Sequence, residues 1–493
     1  MGDGRRTGHP AGGDRIMAAV AVRTHGLFIG GEWVVRPETI AVYNKYTGEV
    51  IGHVARATRE DVDRAVTAAL RAYRENPLPP YRRYEILKRA SELVRERKPE
   101  LARTIAAEAG KPLKEALIEV DRCTQTLEIS AEEAKRIHGE QVPIEAAPGA
   151  ENRLAFTLRV PVGVVAAISP FNFPLNLAAH KVGPALAAGN AVVLKPATAT
   201  PLSAVHLVQA LVDAGLPAGY LNLVTGAGGE VGEWLLADPR IAAYTFTGSA
   251  AVGERIKAAS GLRRVVLELG NNSATIVCAD ADLDLAAARC ARGAFANAGQ
   301  ICLSVQRIYV QRPVYEAFLE KLVAETRKLK VGDPLDPDTD VGPMISEAEA
   351  QRAEAWIREA VAQGARIVCG GGRRGAVLEP TVLVDVRPDM KVVCQEVFAP
   401  VVSVVPFDDV DEAIAMVNDS FYGLQAGIYT RDIGVAMKAA RRIEVGGVMV
   451  NEIPNWRVDL MPYGGVKGSG IGREGPRYAI EHLTDVRLVV FNL

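Results

Sequence analysis

The chain has 493 residues, 48% apolar and 24% charged, the balance of a folded globular protein long enough to bury more than one core. This excludes disorder, coiled coil and collagen as descriptions of the whole. The 57 lysines and arginines nearly cancel the 59 aspartates and glutamates, leaving a formal charge of −2 and no global electrostatic case for nucleic acid or an acidic membrane surface.

Residues 1–22 carry basic residues, Asp3 and Asp14, and only a short apolar patch, so they read as a flexible leader, not a signal peptide; Met17 offers a second start. From Arg59 to Arg136, apolar residues recur at three- and four-residue steps, the period of amphipathic helices. The text then changes. Short apolar runs, VGVVAAISP, NAVVLKP, YLNLVTG, AAYTFTG and RRVVLELG, alternate with helix-like segments. Alternation of this kind predicts an α/β fold with a doubly wound parallel sheet covered on both faces, its ligand crevice at the carboxyl ends of the strands. A second alternating block follows Glu268 and predicts a second doubly wound α/β domain. Two apolar pieces fit neither block: a hairpin about Pro148–Gly149 and the terminal VRLVVFN. Unpaired, they would leave exposed sheet edges, which a subunit interface would cover.

Six cysteines, Cys123, Cys278, Cys290, Cys302, Cys369 and Cys394, have no CxxC or zinc-site spacing, which argues against a metal site and fits a reducing compartment, the cytoplasm. No apolar run approaches the roughly 20 residues of a membrane span. The Gly-rich stretches GAGGEVG, containing Gly228, and GSGIG lack the strand–GxGxxG–helix pattern. In YTFTGSAAVG, Phe246, Gly248, Ser249 and Gly253 surround a strand-to-helix turn where backbone N–H groups can approach a phosphate, although a plain turn explains them equally.

Seven blocks decide between these readings. SPFNFP, LKP, FTGS, LELG, GQIC, EVFAP and PYGG occur in this order. Together they resemble the NAD(P)-dependent aldehyde dehydrogenase superfamily from about His25 to the C-terminus, with wording nearest the branch that handles lactaldehyde and semialdehydes. The resemblance implies Cys302 of GQIC as nucleophile, and a thiol is the most nucleophilic side chain near neutral pH. It implies Glu268 as the base that activates water against the thioester, Asn172 as the oxyanion donor and Lys181 on a proton path. Glu268 also disfavours acyl-transferring relatives and points to a free carboxylic acid as product. For the cofactor the resemblance implies Ile168, Ser169, Pro170, Phe171, Lys195, Gly228, the turn about Gly248, Leu269, Gly270, Glu396 and Phe398.

One departure matters. Thr198 stands where many NAD-using relatives carry a Glu for the ribose hydroxyls. A carboxylate would repel a 2′-phosphate, whereas Thr198 beside Lys195 would accept one, so NADP is expected to serve at least as well as NAD. The implied substrate tunnel is lined by Phe173, Leu177, His180, Ile301, Leu303, Trp456 and Arg457. Arg457 in a tunnel would pair an anionic group on a small aldehyde; on a loop it would equally face solvent. The expected organisation is a cofactor domain of residues 23–138 and 160–267, a catalytic domain of 268–451, an oligomerisation arm of 139–159 and 476–493, and a closing loop of 452–475. Its partners are a small-molecule aldehyde and further copies of the chain.

Overall fold

A computed structural model describes residues 22–493, so the expected leader lies, but for Val22, outside the described residues. The helical region resolves into four helices, Arg59–Glu75, Pro80–Glu96, Lys98–Ala109 and Leu113–Ala134. The first starts at a reciprocal cap, Thr58 accepting from the Asp61 N–H while the Asp61 carboxylate accepts from the Thr58 N–H.

The first of these helices packs on an eight-stranded sheet whose order is Gly470–Ile471, Arg264–Glu268, Ile241–Thr247, Val164–Ile168, Ala191–Lys195, Leu221–Leu223, Leu27–Ile29, Glu32–Val34. The five central strands are parallel and the flanking pairs antiparallel. Val164–Val165–Ala166–Ala167 and Ala191–Val192–Val193–Leu194 are buried along their whole length, because helices lie on both faces. Each fully buried Val or Leu contributes about 1.5–3 kcal/mol. Val164–Ile168, first of the five parallel strands in the chain, lies between the second and the fourth. Its neighbouring connections therefore leave in opposite directions and open a crevice at the carboxyl ends.

The second sheet has seven strands, ordered Arg366–Cys369, Thr381–Val384, Val401–Phe407, Arg307–Gln311, Ala274–Val277, Gln425–Tyr429, Gly447–Val450, parallel but for the first pair. The apolar pieces outside both blocks meet each other: Thr484–Asn492 pairs antiparallel with Arg153–Pro161, which pairs with the short Gln141–Val142. Leu154, Leu158, Val486, Leu488, Val490 and Phe491 are exposed on this sheet. The C-terminal part of the expected arm divides. Pro476–His482 is a helix whose Ile480, with the C-cap residue Leu483, joins the core of the first domain, and only the strand after it extends outward. The expected closing loop likewise contains two short strands, one of which, Gly470–Ile471, extends the first sheet beyond Glu268. Among the described residues no helix is long and apolar enough to cross a membrane, and no cluster of His, Cys, Asp and Glu is arranged for a metal.

Candidate active site

Sheet register brings residues far apart in sequence together at one edge of the sheet. Lys195 pairs with Ile168, Ile168 with Phe246, and Thr247 with Glu268, all at the carboxyl end. Beyond Ile168 the chain turns through Ser169–Phe173 into the helix Asn176–Ala188. That helix begins against Glu119, whose Oε1 accepts from the N–H groups of Leu175 and Asn176 at 3.0 and 3.2 Å.

The segment carrying Cys302 descends from the other domain. After the helix Leu283–Phe295, Asn297 and Ala298 adopt left-handed backbone with φ of 49° and 54°, a strain of about 1–3 kcal/mol each. The Asn297 N–H donates to Glu115 Oε2 at 2.9 Å, its side chain reaches the Asn172 and Gln300 carbonyls, and the Ile345 N–H donates to Gln300 Oε1 at 2.8 Å. Gly299 is required here, since a Cβ would run into the Ala399 carbonyl. The loop is thus held from both domains. Asn172 Nδ2 donates to the Gln300 carbonyl at 3.0 Å, which keeps its amide beside the loop that carries Cys302.

Cys302 is half-buried and borders two cavities. The outer one, about 660 Å³, is walled by Pro170, Phe171, Gly248, Ser249, Gly270, Glu396 and Phe398, among others. The inner one is about 70 Å³, room for about two waters at the roughly 30 Å³ each takes in the liquid. It is lined by Arg122, Phe173, Asn176, Leu177, Thr247, Glu268, Leu269, Ile301, Leu303, Asn455, Arg457, Tyr463 and Glu474 besides Cys302.

The outer chamber fits a dinucleotide. Ser249 caps the helix Ala250–Ser260 with no hydrogen bond from its own side chain, so the helix N-terminus faces the chamber. Ser169 Oγ is buried without a partner. A Cβ on Gly248 or Gly270 would collide with Phe246 or Glu396. Phe171 and Phe398 meet edge to face at 5.9 Å. Glu396 Oε1 accepts from the Asn271 N–H at 2.8 Å, and burial raises its carboxyl to about 7.

Charge in the inner chamber is arranged in pairs. Lys181 Nζ donates to Glu474 Oε1 at 3.2 Å and to Thr247 Oγ1 at 2.6 Å. Arg457 donates to Glu474 Oε2 at 3.1 Å, with its guanidinium 3.6 Å from the Tyr463 ring centre. Arg122 grips Asp459 through two hydrogen bonds of 2.8 and 3.1 Å. Burial works to raise Glu474, but Lys181, His180 and Arg457 outweigh it and hold the carboxyl at about 2. Both Glu268 oxygens lack a partner, and burial followed by the Glu474 charge lifts its carboxyl well above the ordinary range. Burial pushes the Cys302 thiol up to about 12, against the pull of the Tyr463 hydrogen bond and Arg457.

A family model for the aldehyde dehydrogenases matches residues 33–489. The chain belongs to the aldehyde dehydrogenase family. It is 55% identical over 472 residues to 3-sulfolactaldehyde dehydrogenase of Priestia aryabhattai, covering 96% of this chain and 99% of that one. Identity to lactaldehyde dehydrogenase of Methanococcus vannielii is 41%, over 94% and 100% of the two chains. The crystal structure of aldehyde dehydrogenase 21 from Physcomitrella patens, in complex with the reaction product succinate, matches with a TM-score of 0.94 at 40% identity, over 96% and 99%. The protein is an NAD(P)-dependent aldehyde dehydrogenase of the mixed α/β fold.

In this aldehyde dehydrogenase several residues stand differently from the sequence expectation. Arg457 does not face solvent: its side chain is 6% exposed. Trp456, expected in the tunnel, is 46% exposed and outside the cavity lining, and Asn455 takes its place. His180 sits behind Arg457, its Nε2 2.8 Å from Asp459 Oδ1, and is also outside the lining. Thr198 Oγ1 is spent on the Gly226 carbonyl at 2.9 Å, and the residue borders an adjoining groove while Ala197 and Ala199 border the outer chamber. Lys195 is buried with Nζ donating to the Pro196 carbonyl, and Gly228 begins a helix with open space around it. Gly253 permits close packing of its helix against Leu269. Arg122, Asn455, Asp459, Tyr463 and Glu474 were not singled out by the sequence. Tyr463 lay inside the quoted PYGG block, but nothing local distinguishes Arg122, on an amphipathic helix, from a solvated arginine.

Proposed function

We propose that this enzyme oxidises a small aldehyde bearing one anionic group, of the 3-sulfolactaldehyde or semialdehyde kind, to its carboxylic acid. The observation that carries the reading is a thiol at the junction of a dinucleotide-sized chamber and a chamber of about 70 Å³ lined by two carboxylate-paired arginines, Arg122 and the buried Arg457. Three cations (Arg122, Lys181, Arg457) are paired here with only two carboxylates (Asp459, Glu474), which leaves cationic donor capacity that suits a monoanion. The 55% identity to a 3-sulfolactaldehyde dehydrogenase supports the same class.

In the reaction Cys302 thiolate adds to the carbonyl carbon, and the π pair moves to oxygen. Asn172 has one amide N–H engaged by Gln300 and a second left for that oxyanion, beside the backbone N–H of Cys302. Ser249, Glu396, Phe171 and Phe398 would hold NAD or NADP in the outer chamber, where it would supply the acceptor for the hydride leaving that carbon. Glu268 then takes a proton from water as its oxygen attacks the thioester carbon, and Cys302 leaves as thiolate. Lys181 and Glu474 hold the charge behind Glu268 and give its proton a way out.

The test is a panel of 3-sulfolactaldehyde, succinate semialdehyde, lactaldehyde and propanal, each with NAD and NADP. The anionic substrates are expected to exceed the neutral ones in kcat/KM, and Arg457→Ala to raise KM about 10- to 100-fold for the anions, as expected for a lost charged hydrogen bond, and only a few-fold for propanal. Equal effects on all four would remove the anionic assignment in favour of broad specificity. NADP is expected to match or exceed NAD, because no carboxylate stands at Thr198 to repel a 2′-phosphate; negligible NADP turnover would end that part of the reading.

We also infer a homo-oligomer in which the outer strand Thr484–Asn492 is covered by another copy, since its exposed Val486, Leu488, Val490 and Phe491 form an apolar edge. Light scattering should give a multiple of 52.7 kDa, and Leu488→Lys with Val490→Lys should lower it; a wild-type monomer would contradict this.

A further inference from the structure

The hydroxyl of Tyr463 lies 2.9 Å from Cys302 Sγ, and neither the oxyanion nor the hydrolysis step above uses it. The tyrosine is 3% exposed. Its position is fixed on three sides. The backbone exchanges two hydrogen bonds with Glu474 (3.1 and 2.6 Å), the ring packs with Ile301 and Leu303 on either side of the thiol, and the Arg457 guanidinium covers one face. A buried phenol held this rigidly loses little entropy in making its hydrogen bond.

We propose that Tyr463 is a further catalytic residue: its O–H donates to Cys302 Sγ and stabilises the thiolate that attacks the aldehyde. The inference rests on Cys302 being the nucleophile. Only the phenol can donate to a thiolate, since an ionised sulfur has no proton to give. Burial holds the Tyr463 proton well above its ordinary range, so the phenol stays intact while sulfur ionises. The Sγ proton leaves to water in the cavity, not to Tyr463. When the S–C bond forms, the sulfur lone pair becomes the bonding pair and the π pair moves to oxygen. A thioether-like sulfur is a weak acceptor, so the phenol bond stabilises the attacking thiolate and its regenerated form more than the adduct. The Arg457 cation over the ring polarises the phenol and strengthens it as a donor.

Tyr463→Phe keeps the ring under Arg457 and removes the hydroxyl. In the full-length enzyme, the pH profile for alkylation of Cys302 by iodoacetamide should move upward by about one unit. The kcat/KM for aldehyde at neutral pH should fall about ten-fold, the size of a lost hydrogen bond to a charged group, with the KM for NAD(P) unchanged. A superimposable alkylation profile with kcat/KM within two-fold of wild type would overturn the proposal. Should the variant fail to fold, wild-type chain grown with 3-fluorotyrosine carries a more acidic phenol and should shift the profile downward; no shift overturns it equally. Activity of Cys302→Ala separates the two readings, because a fully active variant refutes the nucleophile itself, whereas an inactive one leaves Tyr463 to be judged on the profiles.

Discussion

Cys302→Ala is expected to abolish aldehyde oxidation, with kcat reduced about 10⁴-fold or more, because the covalent route is lost rather than slowed. The fold should survive, since the thiol is half-buried and its one polar contact is with Tyr463. Removing a small side chain there leaves the strained Asn297 held by Glu115 and Gln300. The same truncation at Cys290, fully buried among alanines and Phe295 in the second core, should cost stability and leave kcat within a few-fold. Thermal melting together with steady-state rates separates the two variants. Comparable activity losses in both would show that packing, not nucleophilicity, underlies the Cys302 effect.

Glu268→Gln is the second large effect, expected at about 10²–10⁴-fold in steady-state turnover, the usual contribution of a general base. Hydride departure precedes the step this residue serves, so one equivalent of reduced cofactor should still form in a burst. The pH dependence follows from the carboxyl's surroundings. Burial and the Glu474 charge raise Glu268 above the ordinary carboxylate range, so the basic form accumulates only at higher pH and turnover rises with it. Glutamine has no such ionisation, and that rising limb should vanish. A variant that loses the burst as well as the turnover would place Glu268 before hydride transfer.

The alternating apolar runs were enough to predict two doubly wound sheets, because strands buried on both faces must be continuously apolar. What they could not convey was register. Lys195, Ile168 and Phe246 form one row, with Glu268 one residue beyond it, only after strands far apart in the chain pair, and no local pattern encodes that distance. Arg457 shows the same gap. On a loop, an arginine reads as readily for solvent as for a cavity, until Glu474 and the Tyr463 face bury it. Trp456, the more apolar neighbour, is the one left outside. Arg122 and Asp459 lie far apart in the chain, and their pairing gives the inner chamber part of its charge. Conversely, Cys302, Glu268 and Asn172 were reached through the resemblance carried by seven short blocks in order, and of the three only the Glu closing an apolar strand is costly enough to bury to draw notice by itself.

The most direct test of the account is the mass of the Cys302 peptide from Glu268→Gln, quenched in acid after one turnover with 3-sulfolactaldehyde and NADP. The account predicts a thioester on Cys302, heavier than the free peptide by the aldehyde less two hydrogens and removed by hydroxylamine. An unmodified Cys302 after a full equivalent of reduced cofactor has formed, or an acyl group on another residue, would contradict it.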